Sequence, residues 1–363
     1  MSAMQTEAAE HVHPIAAGAA GEMSRWERMR GQLAAKLGRL AHWEFWPAAM
    51  VYLPLLPYIA WLALKHRGLG VCTHANPGIP RGGLVGESKW DILQLLPAES
   101  IIPTALLGLG PVEPRCDALA RVLHDRSWAY PLVLKPDVGE RGTGVTLIEG
   151  EEAARQYLES QPAAILVQPF HPGPFEAGVF YYRFPDQPHG AIFSITQKRF
   201  ARVEGDGSSS IEMLIRRHAR YRMQLGAYLA HLGERARQVP GRGESVRIGF
   251  AGNHCRGAMF LDGEHLITPA IVEAFDAITL RTPGFYFGRF DVRYSDEHEF
   301  AAGRGFQVVE LNGLLSESTN IYDPAMRFWK AQRILRAQWQ IAFEIGACNT
   351  RMSRGSDIRA AQR

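Results

Sequence analysis

The stretch Gln307-Val-Val-Glu-Leu-Asn312, read with Gly288-Arg-Phe-Asp291-Val-Arg293 upstream of it, decides the fold class. Both read as strands. Side by side they bring together the carboxylates of Asp291 and Glu310 and the amide carbonyl of Asn312. These are hard oxygen ligands of the kind Mg²⁺ takes, and Mg²⁺ takes few of them because it keeps waters and substrate phosphates in its shell. The outline is that of a metal-nucleotide site.

Working outward, Pro131-Leu-Val-Leu-Lys135-Pro reads as a buried strand ending in a lysine. A glycine-bearing turn follows, Gly139-Glu-Arg141-Gly142-Thr143-Gly144, and then a second strand from Val145 to Ile148. Glycine lets backbone N–H groups approach a phosphate closely, and lysine adds a point charge. No Gly-Lys-Ser/Thr follows the loop, and no helix opens from it in a βαβ unit, which excludes the Walker A and dinucleotide fingerprints. The expected structure is a flap between two antiparallel strands.

In this order and spacing, from about Tyr130 to Pro324, the chain resembles the ATP-grasp superfamily, and within it the D-alanine:D-alanine ligases and cyanophycin synthetase type amide ligases. The resemblance implies an α+β, ATP-grasp fold in which two α+β subdomains sandwich ATP, with a small preceding lobe. It implies that Lys135 holds phosphates, that Gly139, Arg141, Gly142, Thr143 and Gly144 form the flap, and that Gln168, Pro169 and Phe170 form the hinge at adenine. Glu176 is implied as a ribose or metal-network carboxylate, and Lys198 as a second phosphate lysine. Phe287-Gly-Arg289-Phe-Asp291 is similar to the ligases' Gly-Arg-hydrophobic-Asp pattern, which implies that Arg289 faces the transferred phosphate. Asp291, Glu310 and Asn312 are then the ligands of two Mg²⁺ ions. The chain departs from the ligases at Gln168, where glutamate is usual, at the spacing to Glu176, and at Leu315-Ser316, where Pro-Gly is usual. Arg256 in Asn253-His-Cys-Arg-Gly is a candidate for the substrate carboxylate or the intermediate, with a solvated arginine as the alternative.

With 363 residues, 46% of them hydrophobic, the chain is long enough for a large core and for two or three domains. A formal charge of +3 gives no reason to expect nucleic acid as a partner. Cys72, Cys116, Cys255 and Cys348 are isolated, so they read as reduced thiols in a cytosolic setting, and the histidines show no zinc spacing.

The N-terminal third departs from a plain soluble ligase. Residues 1–23 are small and polar without periodicity, and disorder is expected. From Ser24 to His42 a helical stripe of Trp26, Met29, Leu33, Leu37 and Leu40 is set against Arg25, Arg28, Arg30, Lys36 and Arg39, with Ser24 and Glu27 spaced as a capping box. Such a helix suits an anionic membrane surface; docking on the enzyme body is the alternative. Phe45 to Leu64 carries no charge and is just long enough to span a bilayer. However, Pro47, Pro54 and Pro57 break a straight helix, and basic residues on both flanks disfavour a single crossing. A bent or re-entrant segment on the inner face of the cell membrane is therefore expected, residues 24–66 forming the membrane-associating unit.

Residues 67–128 are expected to form the small lobe, opening with the Gly/Pro-rich loop Cys72 to Lys89, which either embraces an anion or merely connects. The ATP-grasp domain is expected over 129–349, closed by an amphipathic helix from Pro324 to Ala347, with 350–363 as a tail. The resemblance implies an ADP-forming ligase that joins a small-molecule acid to an amine through an acyl phosphate, as monomer or homodimer. A kinase of the same fold acting on a hydroxyl, and a nucleotide-binding membrane scaffold, are the alternatives.

Overall fold

The computed structural model describes residues 25–84, 86–139, 142–249 and 257–361. The expected disorder of 1–23, the Ser24 cap, Arg141, Cys255 and Arg256 lie outside them. Among the described residues eleven strands and eleven α-helices form a mixed α and β architecture. Two compact units emerge, one from residues 1–48 and 198–260, the other from 49–197 and 261–363.

In the larger unit, β1 (Ala105–Leu107), β2 (Leu132–Pro136), β3 (Thr146–Ile148) and β4 (Ile165–Pro169) form a sheet of order β1-β4-β2-β3, all antiparallel. Helices α5 (Val112–Asp125) and α6 (Glu151–Ser160) cover it through Leu119, Ala154, Tyr157 and Leu158. A second sheet has the order β11-β10-β5-β6-β9, built from β5 (Phe175–Tyr182), β6 (Ala191–Phe200), β9 (Ala258–Asp262), β10 (Phe287–Tyr294) and β11 (Phe306–Asn312). Against it pack α4 (Lys89–Gln94), through Ile92 and Leu93, and α9 (Pro269–Leu280), through Ile271, Phe275 and Ile278. The short α10 (Glu297–Ala301) adds Phe300 to the same core. Residues 67–128 thus contribute to both cores of this unit.

The charge-free segment is helical but broken, as its prolines require. The pieces are α2 (Ala48–Tyr52), a 3₁₀ turn at Leu53–Leu55 and α3 (Leu56–Lys65), with Pro54 and Pro57 each in the first turn, where the missing N–H costs least. Val51, Leu55 and Leu62 face inward, and Leu62 joins Phe343 and Ile345 of α11 (Phe328–Ala361) in one cluster. Met50, Leu53, Leu56, Trp61 and Leu64 face outward. The run Ala48–Lys65 is long and apolar enough to cross a membrane, and only 17% of it is buried. Helix α11 continues to Ala361, through the stretch expected to be a tail.

The smaller unit pairs β7 (Arg202–Glu204) with β8 (Ser245–Arg247) and packs α7 (Ile211–Arg217) and α8 (Leu225–Leu232) around Ile215, Tyr228 and Ile248. Its α1 (Arg25–Ala41) falls where the periodicity placed it. Trp26, Met29, Leu33, Leu37 and Leu40 are all more than half exposed.

Candidate active site

The register of β10 and β11 sets Asp291 opposite Glu310 and Arg289 opposite Asn312. Residues two apart on a strand share a face, so the four side chains crowd one side of the sheet. Between Asp291 and Val292 the register shifts, leaving Val309 as an extra residue of β11. This is a β-bulge, a device that re-aims groups beside active sites. The freed carbonyl of Val309 accepts a hydrogen bond from Lys135 Nζ at 2.9 Å. A lysine from the first sheet thereby reaches the metal-type strands of the second. Burial pushes the Lys135 ammonium below its ordinary pKa of 10.5; Glu310, Asp291 and Glu176 oppose the shift, and Lys89 reinforces it.

Arg289 donates to both carboxylate oxygens of Asp291, Nε to Oδ1 at 3.0 Å and Nη2 to Oδ2 at 3.3 Å, and its Nη1 donates to the Glu317 carbonyl at 3.0 Å. Burial disfavours its charge, yet Asp291, Glu317 and Glu310 together hold its pKa above the ordinary value. Gly178 on β5 lies opposite Asp291. A Cβ at Gly178 would stand 3.0 Å from Arg289 Cδ and 3.3 Å from Asp291 Oδ1, so glycine there leaves room for the pair.

Among the described residues no group of three or more His, Cys, Asp or Glu gathers as a metal site. The donor set is instead two carboxylates and one amide. The Asn312 Nδ2 is buried without a hydrogen-bond partner. A buried, unspent N–H donor costs free energy and suits an anion, so the metal reading rests on the oxygens alone. The hard oxygens of Asp291, Glu310 and Asn312 suit Mg²⁺ by chemistry.

The flap expected between β2 and β3 is present as an antiparallel pair. Gly142 (φ 70°) and Gly144 (φ 75°) take left-handed backbone in its turn, with Thr143 between them. Its base is anchored. Lys89 Nζ donates to the carbonyls of Asp137 (3.2 Å) and Gly139 (2.6 Å), while Asp137 Oδ1 accepts from Ser88 Oγ (3.1 Å) and Trp90 N (2.8 Å).

The Gly/Pro-rich loop is used for close backbone packing. Asn76, fully buried, donates to the carbonyls of Gly82 and Phe287 and accepts from the N–H groups of Tyr286 and Phe287. A Cβ on Gly83 would lie 2.6 Å from Gly313 Cα, and one on Gly78 2.1 Å from the Pro283 carbonyl oxygen. Gly82 and Gly83 carbonyls accept from Leu314 and Leu315 N–H, bracing the chain that leaves Asn312.

Gln168 is buried, and its Nε2 donates to Thr104 Oγ1 at 2.9 Å, so its side chain is committed to the core. Pro169 closes β4, and the Phe170 ring lies 5.3 Å from the Arg293 guanidinium. Arg293 Nε also lies 3.9 Å from Glu176 Oε2, directly across the strand pair. Lys198 is buried on β6, where the chain enters the smaller unit.

One cluster escaped the sequence reading. Tyr52 Oη donates to Glu317 Oε2, and Tyr322 Oη donates to Glu317 Oε1 at 2.9 Å. The two phenol oxygens are 3.4 Å apart. Burial, then Glu317 and Tyr52, raise the Tyr322 pKa far above its ordinary value. No motif spacing links these residues; the nearest signal was Glu317's position just beyond Glu310-x-Asn312.

No family model and no curated protein matches this chain. Among solved structures it is similar to a bifunctional glutathione synthetase from Pasteurella multocida (16% identity, TM-score 0.37), covering 69% of this chain and 35% of that one. It is also similar to a D-cycloserine synthetase (15%, TM-score 0.38), covering 69% and 70%. A D-alanine–D-alanine ligase from Bacillus anthracis (14%, TM-score 0.38) matches over 69% and 66%. This chain spans about a third of the length of the bifunctional synthetase. TM-scores this low establish no shared fold, and the reading of the site stands on its geometry.

Proposed function

We propose that this chain is an ATP-dependent carboxylate–amine ligase of the ATP-grasp kind. The observation that carries the reading is that Lys135, from one sheet, reaches the Val309 carbonyl on the pair β10–β11, whose register sets Arg289, Asp291, Glu310 and Asn312 on one face. Asp291, Glu310 and Asn312 would hold Mg²⁺, two ions by the resemblance, which supplies charge neutralisation for the phosphates of ATP.

The remaining work falls to the protein. Phosphoryl transfer of this type is mainly positioning and charge stabilisation. Lys135 places a positive charge at the phosphates, the flap lends backbone donors and excludes water, and Arg289 faces the transferred group. A substrate carboxylate oxygen attacks the γ-phosphorus, the bond to the β,γ-bridging oxygen breaks, and ADP leaves. The amine, once its ammonium form has given a proton to solvent, attacks the acyl carbon; the bond to the phosphate oxygen breaks, and the departing phosphate takes the proton that the nitrogen gives up.

Membrane association belongs to the same proposal. The outward faces of α1 and of Ala48–Lys65 are apolar and exposed, and patches of this kind mark interfaces. The basic residues of α1 would add roughly 1 kcal/mol each beside anionic lipid. The enzyme then sits on the inner face of the cell membrane.

Hydroxylamine tests the chemistry, because it traps an acyl phosphate as a hydroxamate. Full-length protein with MgATP, hydroxylamine and a panel of carboxylic acids should give hydroxamate with stoichiometric ADP. ADP without hydroxamate, with phosphate on a hydroxyl substrate, would replace the ligase by a kinase.

A further inference from the structure

Glu317 stands out among the buried or half-buried acids of the larger unit. Its two carboxylate oxygens accept from two tyrosine hydroxyls. Among the described residues no Lys, Arg or His forms an ion pair with it within 4.0 Å. The nearest strong cation, Arg289, spends its fork on Asp291 and reaches Glu317 only at the backbone carbonyl. A carboxylate offers about four lone-pair sites, and the tyrosines take two. A half-buried carboxylate that no cation bonds directly keeps part of its desolvation cost, although the Arg289 charge acts on it, and here two phenol hydroxyls stand against it.

An ammonium group resolves each of these features. It supplies a directly bonded positive charge and donates to the lone pairs the tyrosines leave. We infer that Glu317, with Tyr52 and Tyr322, forms a subsite for the primary ammonium group of the amine substrate, beside Arg289. The inference rests on the ligase reading for its role, but the binding chemistry does not depend on it. Tyr52 lies at the end of α2, in the outward-facing apolar segment. An amine carried on a lipid would therefore reach the subsite from that side.

The test uses n-butylammonium as the probe and full-length protein without nucleotide, with n-butanol as the uncharged control, followed by saturation-transfer NMR titration. Wild type should bind the ammonium and not the alcohol. Glu317→Gln, which keeps the size, removes the charge and turns one acceptor into a donor that a phenol oxygen can accept, should weaken binding at least fivefold with an unchanged melting temperature, and Tyr322→Phe should weaken it less. A wild type that fails to bind n-butylammonium, or binds butanol equally, overturns the subsite; so does a folded Glu317→Gln that binds like wild type. Hydroxamate formation reports separately on the ligase reading. Absence of hydroxamate in the wild type, with n-butylammonium binding intact, would overturn the ligase reading and leave the ammonium subsite standing.

Discussion

Replacing Lys135 by methionine separates the cost of this site to the fold from its use. The ammonium is buried and has a lowered pKa, so the nucleotide-free protein spends free energy to keep it charged. Effective penalties for burying an ion run to several kcal/mol, while the lost bond to the Val309 carbonyl, left unpaired at the bulge, costs about 1–3 kcal/mol. The balance predicts a nucleotide-free variant as stable as wild type or more stable, by up to about 2 kcal/mol. The pH dependence follows in sign. With the folded pKa below 10.5, the unfolded chain binds more protons in the window between the two values. Wild-type stability therefore rises with pH through that window, and its gap to the variant narrows. MgATP reverses the comparison. At a hundredfold excess over Kd it should stabilise wild type by about 2.7 kcal/mol and leave Lys135→Met nearly unmoved. Thermal melts with and without MgATP read both effects. A variant that melts well below wild type without nucleotide, or that keeps the MgATP shift, refutes the reasoning.

Other outcomes follow from the same geometry. Gly178→Val sets branched methyl groups where even a Cβ approaches Arg289 and Asp291 to 3.0 and 3.3 Å. It should lower ADP formation at least tenfold at little cost in melting temperature, and wild-type turnover would show that the pair is free to move. Saturating MgATP should protect the flap around Gly142 to Gly144 from limited proteolysis; an unchanged cleavage pattern counts against closure. Vesicles containing phosphatidylglycerol should float the full-length chain, and Leu53→Glu with Leu56→Glu should weaken the association. A wild type left entirely in the soluble fraction removes the membrane proposal.

The parts of the site legible in sequence are those written in local periodicity. Two adjacent strands brought Asp291, Glu310 and Asn312 together, the resemblance added Arg289, and two strands around a glycine turn gave the flap. The prolines forecast the breaks between α2 and α3. What stayed hidden depends on distant partners. The bulge that turns the Val309 carbonyl toward Lys135 is a property of strand pairing, and no residue type announces it. Glu317 meets a tyrosine 265 positions away. The glycines at 78 and 83 looked like an anion cradle because close approach to phosphate and to backbone demand the same absent Cβ. The hydrogen bond of Gln168 to Thr104, on a neighbouring segment, likewise depends on a distant partner. The Arg-rich end is helical to Ala361 although its apolar content is low.

The central claim, that the Asp291–Glu310 face binds ATP with a divalent metal, is tested most directly by calorimetric titration of ATP, with and without Mg²⁺, into wild type and Glu310→Gln. The account predicts Mg²⁺-dependent binding to wild type and at least tenfold weaker binding, about 1.4 kcal/mol, to a variant that melts like wild type. Absence of MgATP binding in the wild type, or equally tight binding by the variant, would contradict it.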